Sequence, residues 1–188
     1  MKNILYILTL AMLSCSRTSD LPNGNLLQNG DLIFQTSIST QSLAIQLATH
    51  SPYSHVGIIY KQARQIYVLE AVQPVKLTIL SEWIQRGKGG HYVVKRLKDA
   101  DKILTPVALQ KMRVIGNKWL GKNYDFNFEW NDKRLYCSEL VWKLYQKATG
   151  IELATLQKFK EFDLEHPLVK PQLIKRFGQK MPVEQLVI

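Results

Sequence analysis

The hydrophobic pattern of this chain changes its period once, and that change restricts the folds that the chain can adopt. In the first half, short apolar runs alternate with turn residues, which is typical of strands. From Thr105 onward, apolar residues such as Ala108, Met112 and Ile115 recur at helical spacing instead. We therefore predict an α+β domain in which a small, mostly antiparallel sheet is flanked by helices. The predicted strands are 31–34, 55–60, 65–72, 75–79 and 92–97.

Helices are predicted on both sides of this change. The clearest apolar stripe lies in 137–149, where Gly150 stands in the position of a helix stop. Earlier in the chain, Ser39 or Thr40 is suited to cap a helix before the second predicted strand. The predicted helices are 39–49, 80–86, 105–121, 137–149, 157–162 and 168–177.

The N-terminal residues have the pattern of an export signal. Lys2 gives a positive start, and 4–13 form an apolar run that is too short to span a bilayer. Cys15 follows directly, as in a bacterial lipobox, although Met12 and Leu13 are not the usual residues at their positions. We predict a signal peptide at 1–14, lipid attachment at Cys15, a polar tether at 15–28 and one folded domain at 29–188.

Two other interpretations of this segment stay open. A plain secretory signal could be cleaved between Ser14 and Ser19, or Cys15 could be a buried cysteine of an N-terminal helix. Under both export interpretations the mature protein lies outside the cytoplasm of a bacterium. It is either in the periplasm or a lipoprotein of the outer membrane or cell envelope. The lipid anchor would hold the protein at a membrane.

The cysteine count and the net charge exclude several classes of protein. With only two cysteines, the chain is no disulfide scaffold and has no CxxC pair for zinc or thiol redox chemistry. The net charge of +10 would suit nucleic acid, anionic lipid or an acidic polymer. The lysines are dispersed and no nucleic-acid motif is present, so we expect no nucleic-acid partner.

Cys137 lies where a loop becomes the 137–149 helix. The free amide groups and the dipole at a helix N-terminus stabilise a thiolate and could bind the oxyanion of a tetrahedral intermediate. This position suits a catalytic nucleophile. The alternative is a buried cysteine that packs as a small hydrophobe, as most free cysteines do.

A thiol nucleophile needs a base, and His55 is the best placed of four histidines. It opens a predicted strand, a rigid mount, and Gly57 leaves the same sheet face open two residues later. His50, His91 and His166 lie in turns or in the tail, where surface histidines are common. No spacing supports zinc, and we expect no metal or organic cofactor.

Glu70 is the candidate for the group that orients the histidine. It ends an apolar run on the strand predicted to pair with the His55 strand, and a carboxylate in such a run needs a partner. The alternative is that Glu70 lies at an exposed strand end.

Four segments resemble those of NlpC-type cysteine peptidases, which have a papain-like fold. Gly121-Lys122-Asn123-Tyr124 precedes Tyr136-Cys137-Ser138-Glu139-Leu140-Val141, but the segments 30–34 and 55–60 come before them instead of after. With this reversed order, the chain resembles the circularly permuted branch, the YiiX/YaeF-like permuted papain-fold amidases, from about Gly30 nearly to its end. The fold implied is a circularly permuted papain-like one.

The resemblance implies Cys137 as nucleophile, His55 as general base and acid, and Glu70 as the orienting residue. It also suggests that the Tyr124 hydroxyl helps to bind the oxyanion; the alternative is a loop tyrosine packed on the core. Two residues depart from the unpermuted family, Asn123 in place of proline and Glu139 in place of glycine. These departures weaken any transfer of that family's substrate specificity.

We predict an exported cysteine amidase that acts through an acyl-thioester on cell-envelope peptides such as those derived from peptidoglycan. Two alternatives remain: a lipid-directed hydrolase or acyltransferase with a lipid-linked substrate, and a non-catalytic envelope lipoprotein that binds a ligand in its cleft.

Overall fold

The structure, a computed structural model, describes residues 26–188. The strands are β1 (Leu32–Ser37), β2 (His55–Gln62), β3 (Gln65–Glu70), β4 (Lys76–Ile79), β5 (Gly87–Lys95), β6 (Gln157–Lys158) and β7 (Leu186–Val187). The helices are α1 (Thr40–Thr49), α2 (Leu80–Arg86), α3 (Ala100–Ile103), α4 (Pro106–Trp119), α5 (Cys137–Thr149) and α6 (Lys170–Phe177).

The five longer strands form one sheet in the order β4-β3-β2-β1-β5, and every neighbouring pair is antiparallel. The predicted α+β class is therefore confirmed. β2 is the central strand, and its first residue, His55, pairs with Gln35 of β1. The short strands β6 and β7 pair separately.

Each face of the sheet is covered by helices. On one face, Ile58 and Leu69 pack with Leu140 and Leu144 of α5 and with Met112 of α4. All five side chains are almost fully buried, and burial of each such side chain contributes roughly 1.5–3 kcal/mol. The opposite face packs against α2, chiefly Trp83. α5 is thus fixed against the sheet, which fixes its first residue relative to β2.

A third apolar cluster lies outside the sheet. α6 and the segments near it contribute Phe159, Leu164, Val169 and Leu173, and α1 contributes partly buried alanines. This cluster joins the C-terminal part of the chain to α1, and its residues line a cavity that also reaches Cys137 and His55.

Local sequence rules account for the ends of two important helices. Ser39 Oγ accepts a hydrogen bond from Ser42 N at 3.0 Å, as expected of an N-cap before α1. α5 ends at Gly150, which adopts φ 78°, a left-handed conformation that glycine adopts readily. At the start of α5, Tyr136 N donates to Glu139 Oε2 at 3.2 Å. Glu139, which replaces the glycine of the unpermuted family, therefore helps to begin the helix that carries Cys137.

Several predicted elements differ from the structure. The strand predicted at 31–34 continues to Ser37, because Ser37 still pairs with Gly87 of β5. The predicted strand 65–72 ends at Glu70, because pairing with β4 begins at Glu70–Lys76 and the intervening residues form the connection. The strand predicted at 92–97 begins earlier, at Gly87, where the missing Cβ leaves space for the Gln35 side chain. The predicted helix 157–162 is instead β6 followed by a short 3-10 turn, because Gln157 pairs with the distant Val187. The helix α3 was not predicted.

Candidate active site

Cys137 is the first residue of α5 and is 8% exposed. Burial raises the pKa of its thiol, but hydrogen bonding and charge interaction with His55 and the backbone amides of Val56 and Ser138 outweigh that effect. The pKa of Cys137 is therefore below its ordinary value. A lowered thiol pKa increases the thiolate population, which is the nucleophilic form.

His55 lies between Cys137 and Glu70. Its Nε2 is 2.6 Å from Glu70 Oε2, which leaves Nδ1 for the contact with the thiol of Cys137. Burial lowers the pKa of His55, yet the hydrogen bonds to Cys137 and Glu70 raise it to about 9. Since the thiol pKa is lowered and the imidazole pKa is raised, the two groups favour a thiolate–imidazolium pair.

Glu70, the last residue of β3, is fully buried. Besides His55, it accepts hydrogen bonds from Thr78 Oγ1 at 2.5 Å, Trp83 Nε1 at 2.9 Å and Arg86 Nη2 at 2.5 and 2.7 Å. Burial raises the pKa of Glu70, but the hydrogen bonds and charges of His55 and Arg86 lower it to about 2. The carboxylate is therefore ionised and fixed, and it is not at an exposed strand end.

Gly57 is needed for this arrangement in a way that the sequence pattern did not show. We expected it to leave a sheet face open, but the face is filled. A Cβ at Gly57 would overlap the Val68 side chain, lie 2.9 Å from Leu69 O and lie 3.5 Å from Glu70 Cβ. The absence of a side chain at Gly57 lets β3 pack closely against β2 and brings Glu70 within reach of His55.

Tyr124 reaches the site from the loop before α5. Its backbone N donates to Gln73 Oε1 at 2.7 Å, and Gln73 Nε2 donates to Asn123 Oδ1 at 2.7 Å. Asn123, the residue in place of the family's proline, thus helps Gln73 to anchor the loop. Burial and the charge of Cys137 raise the pKa of the Tyr124 hydroxyl well above its ordinary value, so the hydroxyl stays protonated.

A chain of hydrogen bonds ends at this hydroxyl. Arg176 Nη2 donates to Gln41 Oε1 at 3.2 Å, and Gln41 Nε2 donates to the Tyr124 oxygen at 3.3 Å. Because Gln41 donates, the hydroxyl hydrogen of Tyr124 points elsewhere, and between residues 26 and 188 it donates to no acceptor. Tyr124 therefore holds a free O–H donor near the nucleophile.

A cavity of about 420 Å³ opens at Cys137 and His55. Ligand sites of roughly 300–1,000 Å³ are usual, so this cavity is large enough for a small molecule or an acyl chain. α1, α6 and the tail form most of its wall, and the wall is mainly apolar. The apolar side chains include Phe34, Ala44, Ile45, Ala48, Phe128, Phe159, Phe162, Leu164, Val169, Leu173 and Val187.

The residues predicted from sequence fall into two groups. Cys137, His55, Glu70 and Tyr124 are brought together, whereas His50, His91 and His166 do not line the cavity. Cys15 and the predicted signal peptide lie outside the described residues. Four residues that contact the site were not predicted from the sequence: Trp83, Arg86, Gln41 and Arg176. The spacing of Trp83 and Arg86 places them on one face of α2, but nothing in the sequence relates that face to Glu70.

A cysteine at the start of a helix, joined to a histidine and a glutamate on adjacent antiparallel strands, defines a papain-like cysteine hydrolase in which the histidine half comes first. The chain belongs to the permuted papain-like amidase family, YaeF/YiiX or C92, whose family model matches residues 26–183. It is similar to the Uncharacterized protein YiiX of Escherichia coli strain K12, with 48% identity over 161 residues, 86% of this chain and 78% of that protein.

A solved structure, described as the metalloprotein yiiX from Escherichia coli O157:H7, has 50% identity and a TM-score of 0.81. The match covers 86% of this chain and 88% of that one. The resemblance stated from sequence, the permuted papain-like fold and the amidase class are thereby confirmed. Within residues 26–188 of the present chain, no three His, Cys, Asp or Glu side chains are grouped so that they could hold a metal ion.

Proposed function

We propose that the protein is an exported cysteine amidase in which Cys137, His55 and Glu70 form the catalytic triad. The observation that carries this proposal is the buried hydrogen-bonded sequence from Glu70 through His55 to the thiol of Cys137. Glu70 has no freedom to turn away, because three further side chains donate to it. The triad agrees with the amidase family to which the chain belongs.

The reaction begins when the Cys137 thiolate attacks the carbonyl carbon of an acyl amide or ester. The oxyanion of the tetrahedral intermediate would accept hydrogen bonds from the Cys137 backbone N–H and from the free O–H of Tyr124. His55 then gives its Nδ1 proton to the leaving group, which departs as an amine or alcohol and leaves a thioester. The neutral imidazole next takes a proton from water, and the hydroxide formed attacks the thioester carbonyl, which releases the acid and regenerates the thiolate–imidazolium pair.

The cavity favours an apolar acyl chain as the part of the substrate that becomes attached to Cys137. Most of its wall surface is aromatic or aliphatic, and the polar side chains that also line it, among them Gln41, Thr49 and Gln172, contribute the smaller part. A peptide in the apolar part would leave backbone amides without partners. Of the substrates expected from sequence, the lipid-linked one is therefore better supported than the cell-envelope peptide.

We also propose that the protein works at the cell envelope, anchored by lipid on Cys15. The signal-like pattern of 1–14 and the position of Cys15 after the apolar run support export. Residues 26–188 contain no helix that is long and apolar enough to cross a membrane. An anchor at Cys15 would hold the cavity close to acyl substrates in the bilayer.

A series of p-nitrophenyl acyl esters tests the proposed function, with a peptidoglycan stem peptide as the rival substrate. We expect the full chain in detergent to form a thioester on Cys137, visible by intact-mass spectrometry, and to prefer longer acyl chains. Hydrolysis of the stem peptide alone would favour the peptide substrate. If Cys137 is not acylated by any ester or peptide and reacts with iodoacetamide no faster than a free thiol, the protein is a ligand-binding module instead.

A further inference from the structure

Arg176 is a cation in the wall of the catalytic cavity without an acidic partner. It lies on α6, is partly buried and lines the same cavity as Cys137. Among residues 26–188, no carboxylate oxygen lies within 4.0 Å of its guanidinium. By contrast, Arg86 and Arg96 lie 2.5 and 2.6 Å from the buried carboxylates Glu70 and Asp31.

The neighbours of Arg176 leave most of its donors free. One Nη2 bond goes to Gln41, and the guanidinium carbon lies 5.4 Å from the centroid of the Phe128 ring. A guanidinium carries five N–H donors in a planar fork that matches a carboxylate or a phosphate. Burial lowers the pKa of Arg176, but an arginine remains charged at any ordinary pH.

A charge at the edge of an apolar cavity is unfavourable unless an opposite charge binds there. The cavity wall also contains the buried apolar residues Leu164, Val169 and Leu173, whereas Arg176 is partly exposed. Arg176 also reaches Tyr124 through Gln41, by hydrogen bonds of 3.2 and 3.3 Å. An anion bound to Arg176 would therefore lie on the side of the cavity near Tyr124 and the reacting carbonyl.

We propose that Arg176 binds an anionic oxygen group of the substrate, so that the substrate is an anionic amphiphile. Its acyl chain would fill the apolar part of the cavity, and its carboxylate or phosphate would pair with the guanidinium. This inference rests on the proposed function, which supplies the acyl chain. A carboxylate would indicate an N-acyl amino acid, and a phosphate would indicate a phospholipid.

A binding measurement tests the anion site at Arg176 independently of catalysis, because a variant without the Cys137 thiol cannot form a thioester. In the Cys137→Ala full chain, isothermal titration calorimetry would compare sodium dodecanoate and dodecyl phosphate with uncharged dodecan-1-ol. We expect at least one of the anions to bind about tenfold or more tightly than the alcohol. Adding Arg176→Met should reduce that advantage to about twofold or less, and Arg176→Lys should retain part of it. The ratio of the two anions identifies the headgroup chemistry.

Lys175→Met is the matched control, because it removes one positive charge from an exposed position on the same helix. It should leave the preference for the anion unchanged. Equal affinity for dodecan-1-ol and both anions, or an unchanged preference in Arg176→Met, would overturn the assignment. If the anion binds as expected but no ester is ever cleaved, the catalytic proposal fails while the anion site stands.

Discussion

Trp83 donates its indole N–H to Glu70 Oε2 at 2.9 Å, and this is the same oxygen that lies 2.6 Å from His55 Nε2. The ring of Trp83 also stacks on the imidazole, with centroids 6.0 Å apart. Trp83 therefore contacts both His55, the proposed general base, and Glu70, the residue proposed to orient it. α2 is therefore part of the arrangement that we propose to be catalytic, although it lies on the sheet face opposite α5.

Trp83→Phe separates the two contacts of this side chain. Phenylalanine keeps a ring beside His55 but cannot donate to Glu70, so a buried carboxylate loses one hydrogen bond. We expect the free energy of unfolding to fall by about 1–3 kcal/mol, measured by urea denaturation. Trp142→Phe is the control, because its indole donates to Ala154 O, away from the site. Trp142→Phe should leave the rate of Cys137 acylation unchanged. Equal losses of that rate in Trp83→Phe and in Trp142→Phe would contradict the role of Trp83.

Glu70→Gln should move the alkaline limit of activity to lower pH. The pKa of His55 is raised to about 9 in part by Glu70, so the imidazolium that protonates the leaving group is lost only near that pH. Without the carboxylate, the pKa of His55 should fall toward its ordinary value of 6.5. The measurement is kcat/KM for an acyl amide between pH 6 and 10. Glu82→Gln removes an exposed carboxylate of α2 and should leave the profile in place.

Glu70 should also make the free energy of unfolding depend on pH in the acidic range. The pKa of Glu70 is about 2 in the folded protein against an ordinary 4.5, so the unfolded chain takes up a proton first as the pH falls. The stabilisation is complete above pH 4.5 and is lost as the pH falls toward 2. We expect the stability difference between the wild type and Glu70→Gln to narrow over that range by on the order of 3 kcal/mol. A difference that stays constant from pH 6 to pH 2 would show that folding does not lower the pKa of Glu70.

Tyr124→Phe should slow acylation without slowing alkylation. Acylation passes through an oxyanion that the Tyr124 O–H would stabilise, whereas iodoacetamide reacts with the thiolate without forming one. We expect a loss of about 10²–10³ in the acylation rate, and an iodoacetamide rate within about twofold of the wild type. Parallel losses in both rates would mean that Tyr124 only packs against the thiol. Tyr92→Phe, on β5 and outside the cavity wall, should leave both rates unchanged.

Gly57→Ala should disturb the site through the backbone. The new methyl group would meet Val68 and the carbonyl of Leu69, so β3 must move and carry Glu70 with it. We expect a destabilisation of about 1–3 kcal/mol and reduced acylation of Cys137. In Gly116→Ala the new methyl meets the flexible ends of the Leu69 and Tyr60 side chains, at 2.9 and 3.0 Å, far along the chain from the triad. Its acylation rate at a temperature well below Tm should match the wild type, whereas that of Gly57→Ala should not.

Sequence patterns predicted the elements that carry the chemistry. Helical periodicity and a glycine stop predicted α5, and apolar runs bounded by turn residues predicted β2 and β3. The position at a helix start selected Cys137. These signals are local, and each depends on a few neighbouring residues. The pairing of β6 with β7 joins Gln157 to Val187, so no local window could show it, and a helix was predicted instead.

The same limit applies within the site. Glu70 was selected because a carboxylate in an apolar strand requires a partner, and the structure supplies several. That Arg86 and Trp83 are among those partners depends on how α2 folds back over β3, which is a tertiary contact. The hydrogen bonds from Arg176 through Gln41 to Tyr124 join three segments that are distant in sequence. A series of hydrogen bonds of this kind leaves no recognisable motif in the sequence.

The cavity wall and the triad are supplied by different parts of the protein. The sheet and α5 hold the proposed triad, whereas α1 and residues 157–188, which include α6, hold most of the surface that would touch an acyl chain. Chain-length selectivity could therefore be redesigned, by substitutions at positions such as Ala48 or Leu173, while the reaction chemistry is kept. In evolution, the same division would let related enzymes change substrates by altering one lobe of the molecule and conserving the other.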